Sequence, residues 1–105
     1  DISQVSRGHT LIIPKEHYKI MTDTPDNILA KVFIAAKKIM EVIKKSMKAD
    51  FVAVSVVGVD VPHFHVHLVP RYFNDGMANF WPTKKYKENE EKETARKIRK
   101  EIEAR

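Results

Sequence analysis

Three histidines alternate with apolar residues in the stretch His63-Phe64-His65-Val66-His67-Leu68-Val69. Imidazole is the side chain whose charge changes closest to neutral pH, so a cluster of such rings suits proton and phosphoryl chemistry. One neutral ring can act as nucleophile while a protonated neighbour neutralises oxygen charge or hands a proton to a leaving group. In an extended strand alternate side chains point to opposite faces, which puts His63, His65 and His67 on one side, about 7 Å apart. Phe64, Val66 and Leu68 take the other side. A core cannot absorb three adjacent imidazoles without partners, so the histidine face looks into solvent, a cleft or a ligand. Mutual repulsion should keep all three rings from protonating together.

Two other readings of the same residues remain open at this point. The strand's exposed face is histidine-rich without function, or the rings hold a metal. Two histidines one residue apart on a strand are common ligands, and Asp60 or His9 could complete such a set in a jelly-roll type of metal protein.

The elements that must position these rings follow from the surrounding pattern. Thr10-Leu11-Ile12-Ile13 reads as a short buried strand stopped by Pro14. Thr24-Pro25-Asp26 reads as a helix start, with a capping hydroxyl, then proline, then an acid in the first turn. Apolar residues at Ile28, Leu29, Val32, Phe33, Ala36, Ile39, Met40, Ile43 and Met47 form one stripe of a helix ending near Lys48, with the lysines outside it. Phe51 to Val57 is a β-branched strand, Gly58-Val59-Asp60 a turn, and His63 to Val69 a second strand ended by Pro70. Tyr72 to Tyr86 reads as loop. Glu88 to Ala104 reads as a charged helix with a sparse stripe of Ala95, Ile98 and Ile102, which predicts weak docking or a partner. The order predicts an α+β fold: an antiparallel sheet with one long amphipathic helix and a C-terminal helix, in a single domain over residues 1–105.

Composition narrows the function classes. With 105 residues there is room for one core. No apolar run suggests a membrane span, so no membrane partner is expected. The absence of cysteine removes disulfides and zinc ribbons and fits a cytoplasmic location. The net charge of +5 invites a nucleic-acid reading, yet nine basic and six acidic residues from Lys84 to Arg105 intersperse as on a solvated helix face. A general attraction toward phosphate remains; nucleic acid is not the expected partner.

The pattern from His63 to Val69 resembles the signature of the histidine-triad (HIT) family. Gly8-His9-Thr10-Leu11-Ile12-Ile13-Pro14 is similar to that family's upstream strand, Asp1-Ile2 to its acidic residue with an apolar neighbour, and Gly58 to Pro62 and Pro70-Arg71 to the flanks of the triad in a bacterial-type branch. The resemblance implies a HIT-like α+β fold and a nucleotide hydrolase or nucleotidyl transferase of the phosphoramidase type. Such an enzyme acts at the α-phosphate of purine (adenosine) phosphoramidates without a metal or other cofactor. It implies that His65 is the nucleophile, that the carbonyl of His63 sets its tautomer, that His67 contacts the phosphate and assists the leaving group, and that His9 joins the network behind them. Asp1 would bind ribose hydroxyls and Ile2 would line the base pocket, with His63, His65 and His67 around the AMP-type substrate. A homodimer is the implied assembly. Val59 and Asp60 depart from the family's usual glutamine and serine, which leaves the leaving group open. Trp81 is similar to a late Trp-Pro of the phosphoramidase branch, and His17 reads as structural or surface. The family's N-terminal hairpin has no counterpart, so the expectation is a piece of a longer protein. A dinucleoside polyphosphate hydrolase and a nucleotide-binding protein without catalysis are the alternatives within the resemblance.

Overall fold

The structure is a computed structural model and describes residues 7–59, 61–77 and 83–105. It divides into two compact units, one ending at Asp75 and the other running from Gly76 to Arg105.

The first unit carries strand β1 (Thr10–Ile12), a 3-10 turn (Met21–Asp23), helix α1 (Asp26–Ser46), strand β2 (Phe51–Ser55) and strand β3 (Val66–Arg71). The strands form one antiparallel sheet in the order β1-β3-β2, so the last strand in sequence is the central one. Leu68 lies opposite both Thr10 and Val54, and His67 opposite both Leu11 and Ser55. The expected α+β architecture is therefore present.

α1 buries the stripe its sequence spacing defines. Val32, Ala36 and Ile43 pack with Phe64, Val66 and Leu68, flanked by Ile28, Leu29, Phe33, Ile39, Met40 and Met47. Val66 and Leu68 are fully buried and Phe64 is 2% exposed. The alternation thus holds from Phe64 to Leu68, with every even-numbered side chain in the core and every histidine half-buried on the other side. α1 ends in a Schellman arrangement. Ala49 N–H donates to the Lys44 carbonyl and Lys48 N–H to that of Lys45, with Lys48 left-handed at φ 51°.

Three local expectations need correction. Thr24 does not cap α1: its hydroxyl turns back to the Ile20 carbonyl at 3.1 Å, and Pro25 takes the N-cap position. The preceding 3-10 turn claims the threonine, a competitor that the sequence pattern does not display. Residues 63–65 precede the paired part of β3, because β1 is only three residues long and supplies no partner beyond Ile12. Pro70 does not end the strand. It lies opposite Val52, past the last β1 pair, where β3 has one neighbour and can spare an N–H as an edge strand can.

The second unit holds α2 (Glu90–Glu103). Glu90, Glu91 and Glu93 in its first turn and Lys100 in its last complement the helix dipole. Ile98 and Ile102 are exposed. Among the described residues no helix is long and apolar enough to cross a membrane.

Candidate functional site

The site is built where β1 and β3 lie side by side. Gly8 lets the chain enter β1 against the sheet. Its φ is +91°, and a Cβ there would stand 3.1 Å from Met47 Cγ and 3.2 Å from Pro70 Cγ. A side chain there is strained by conformation and crowds both neighbours, which would have to give way slightly. One residue later His9 emerges on the same sheet face as Leu11 and reaches diagonally toward His67, as neighbours across an antiparallel pair do. His9 Nε2 and His67 Nδ1 are 2.9 Å apart and share one proton. Their ring centroids lie 5.2 Å apart.

His65 follows at 4.7 Å from the His67 ring, edge to face at 69°. Its Nδ1 is 2.6 Å from the His63 carbonyl oxygen. A carbonyl can only accept, so Nδ1 carries the proton and the lone pair of the neutral ring is left on Nε2. His63 in turn presents Nε2 to the Pro14 carbonyl at 3.2 Å, and by the same logic that nitrogen carries the proton. The ring of His17 meets that of His63 edge to face, at 4.8 Å and 83°. All five histidines of the chain therefore form one array, running from His9 through His67 and His65 to His63 and His17.

Electrostatics separate the members of the array. His67 binds a proton less readily than an ordinary histidine, first because it is partly desolvated, then because His65 and His9 would repel a charge on it. Arg71 shares the face by strand parity, but its guanidinium is committed. Its Nε and Nη2 donate to the Asp75 carboxylate at 2.7 and 3.3 Å, the side chain is 7% exposed, and it stacks over the Phe51 ring at 5.5 Å. Tyr72 N–H donates to the same carboxylate, which fixes the turn after β3.

Of the residues singled out from sequence, the structure brings His9, His63, His65 and His67 together. Asp1, Ile2, Asp60 and Trp81 lie outside the described residues. Among the described residues no group of three or more His, Cys, Asp or Glu side chains is arranged to hold a metal ion. Two residues meet the array in ways the sequence did not signal: His17, read there as structural or surface, and Ser55, which was not singled out. His17 joins through a loop-to-loop contact that periodicity cannot signal. Ser55 lies opposite His67, on the histidine face, by a register that becomes visible only once β2 and β3 pair. An apolar groove of about 330 Å³ between β1 and α1, lined by Ile12, Pro14, Ile28 and Val32 among others, contains none of the histidines and offers no comparable chemistry.

With this geometry in place, comparison with known proteins is informative. A sequence model described as the HIT domain matches residues 1–74. An uncharacterized HIT-like protein of Methanocaldococcus jannaschii is 39% identical over 80 residues, covering 72% of this chain and 62% of that protein. A yeast protein named adenosine 5'-monophosphoramidase is 35% identical over 88 residues, covering 78% of this chain and 53% of its own length. The chain thus spans roughly three fifths of the first of these relatives and about half of the second. Among solved structures, SMU.412c of Streptococcus mutans superposes with a TM-score of 0.83 at 34% identity, covering 97% of this chain and 68% of that one.

Proposed function

Because this chain belongs to the histidine-triad (HIT) family, we propose that it is the histidine-bearing part of a nucleotide hydrolase or nucleotidyl transferase that cleaves adenosine phosphoramidates or related nucleotides at the α-phosphate. The observation that carries the reading is the 2.6 Å contact between His65 Nδ1 and the His63 carbonyl. It selects the tautomer in which Nε2 is unprotonated and nucleophilic, before any substrate arrives. The name of the yeast relative supports the phosphoramidate as substrate class.

In the proposed first step the Nε2 lone pair of His65 forms a bond to the α-phosphorus while the phosphorus–nitrogen bond to the leaving amine breaks. The amine departs with a proton donated by His67 in its protonated form, which leaves that ring neutral. Water then adds to phosphorus and gives its proton to the neutral His67 ring, the bond to Nε2 breaks with its electron pair returning to the His65 ring, and AMP leaves. His67 assists both steps. When its Nδ1 accepts from His9 Nε2–H, its own Nε2 carries a proton and can donate to a phosphate oxygen. Its lowered proton affinity makes it a ready acid once protonated, suited to the departing amine. No resident metal or other cofactor is invoked in either step. Asp1 and Ile2 are proposed for the ribose and base, and a homodimer for the assembly; β1 and β2 are the two edge strands of the described sheet, and either leaves an edge that a second copy can join.

Replacing His65 with Ala tests the reading. Turnover of a fluorogenic adenosine phosphoramidate should fall by about 10⁴-fold or more, the scale on which loss of a covalent nucleophile registers. Turnover within tenfold of the parent protein would remove His65 as nucleophile.

A further inference from the structure

We propose that Met47 is an oxidation site through which a peroxide switches the histidine array off, by displacing Gly8 and so parting His9 from His67. For its effect on turnover the proposal rests on the reading of the histidines given above. The modification and its effect on the His9–His67 contact do not depend on that reading.

Met47 stands where three parts of the domain meet. It closes α1 as the C-cap residue, with its N–H bonded to the Ile43 carbonyl at 2.9 Å. Its own carbonyl accepts from the Tyr72 hydroxyl at 2.6 Å, which ties the helix end to the chain just after β3. Its side chain packs against the core cluster on one side and lies on Gly8 on the other. A Cβ at Gly8 would meet Met47 Cγ at 3.1 Å and Met47 Cε at 3.4 Å, and these are the two carbons that flank the sulfur. The thioether therefore lies along the backbone one residue before His9, and that backbone sets where His9 Nε2 finds His67 Nδ1.

The chain has no cysteine, so its thioethers are the side chains that a peroxide oxidises first. Met47 is half-buried and within reach of a small oxidant. Its sulfur lone pair takes one oxygen of hydrogen peroxide, the oxygen–oxygen bond breaks, and the departing hydroxide recovers the proton and leaves as water. The sulfur loses two electrons and the peroxide gains them. The sulfoxide is polar and bulkier, in a place filled by a flexible apolar side chain. Its oxygen must enter the Gly8 contact, where even a methyl group would force movement, or the apolar flank of the core, where it gives up hydration. The Gly8 carbonyl already accepts from Thr10 Oγ1 at 2.9 Å and, as an acceptor, offers the sulfoxide no compensating bond. Gly8 is the neighbour that yields, because it leads into a strand of only three residues whereas α1 and β3 are longer and packed on each other. His9 moves with it.

The test exposes the parent protein and Met47→Leu to dilute hydrogen peroxide, locates the added oxygen by peptide mass spectrometry, and follows two readouts. Leucine keeps the apolar bulk without the sulfur, so the untreated variant should match the parent in both. The first readout is the imidazole ¹⁵N spectrum: oxidation should shift the signals of His9 and His67, which share one proton, and leave those of His63 in place. The second is turnover of a fluorogenic adenosine phosphoramidate, which should fall about tenfold or more in the oxidised parent, as for a displaced catalytic group. Methionine sulfoxide reductases acting on both epimers should restore it. Met47→Leu should resist the treatment although Met21, Met40 and Met77 remain open to oxidation in it. Three results would overturn the proposal: a Met47→Leu protein as sensitive as the parent, oxidised Met47 with unmoved His9 and His67 signals, or Met47 left intact while the exposed Met21 is fully converted. If no form turns over nucleotide, the enzymatic reading fails, and the ¹⁵N spectra alone decide whether Met47 controls the histidine pair.

Discussion

Leu68→Ala probes the division of labour along the central strand. Leu68 has no exposed surface and sits between Thr10 and Val54 in the middle of the sheet, beneath α1. The substitution removes three carbon atoms from a site packed on all sides. At roughly 0.8 kcal/mol per buried methylene the transfer loss is about 2.4 kcal/mol. A cavity that the rigid sheet cannot close brings the expected total to about 3–4 kcal/mol, inside the range for buried leucines. For a domain of this size that corresponds to a fall in Tm of roughly 12–25 °C. Urea denaturation followed by far-UV circular dichroism reads the change as a lower midpoint at unchanged slope. Turnover measured well below the midpoint should stay within about threefold of the parent, because the histidines leave the strand on the opposite face and tight packing limits the rearrangement. A stability loss under 1 kcal/mol would mean that Leu68 is not enclosed as described. Full stability with abolished turnover would mean that the face assignment of the strand is reversed.

Acidification should act through His67. Its folded-state proton affinity lies below that of an unfolded histidine, about pKa 6.5, so the unfolded chain takes up the proton first as pH falls. The contribution to stability is complete above about pH 6.5 and is lost as pH drops through the folded-state value. The urea midpoint should therefore decline between pH 7.5 and 5.5, and His67→Gln should show a smaller decline; equal declines would refute the assignment. Gly8→Ala should destabilise by about 1–3 kcal/mol, since the new Cβ combines a positive φ with contacts to Met47 and Pro70. It should also weaken turnover by moving His9 off His67, and a neutral effect on both Tm and kcat would contradict the tight approach at that turn. Asp75→Asn should cost about 2–3 kcal/mol by leaving the buried Arg71 guanidinium without its charged partner. Thermal melts of the variant in low and moderate salt check this, and a shift under about 2 °C would show that the pair is not needed.

The alternation of histidine and apolar side chains was legible because it is a local, period-two pattern, and the α1 stripe because it is a local pattern of period 3.6. Every apolar position read from that stripe packs in the core. What escaped was set by partners distant in sequence. Strand pairing at the triad starts at Val66, not His63, because β1 is too short to pair with more. Pro70 remains within β3 because the neighbour that would have needed its N–H has already ended. Thr24 had two acceptable uses, and the 3-10 turn before it took the hydroxyl. His17 carried no signal of its own, since its meaning lies in a contact with a residue 46 positions later. The His63 carbonyl, by contrast, was anticipated only through the family resemblance; backbone acceptors leave no trace in residue types.

Covalent trapping tests the central claim most directly. The protein is mixed with adenosine phosphoramidate, quenched in alkali during the first turnover, digested and mapped by mass spectrometry. A nucleotidyl group on His65, acid-labile and alkali-stable as a phosphorus–nitrogen bond to imidazole should be, is the predicted result. Turnover with no adduct on any histidine, or an adduct on His63 or His67 in place of His65, would contradict the account.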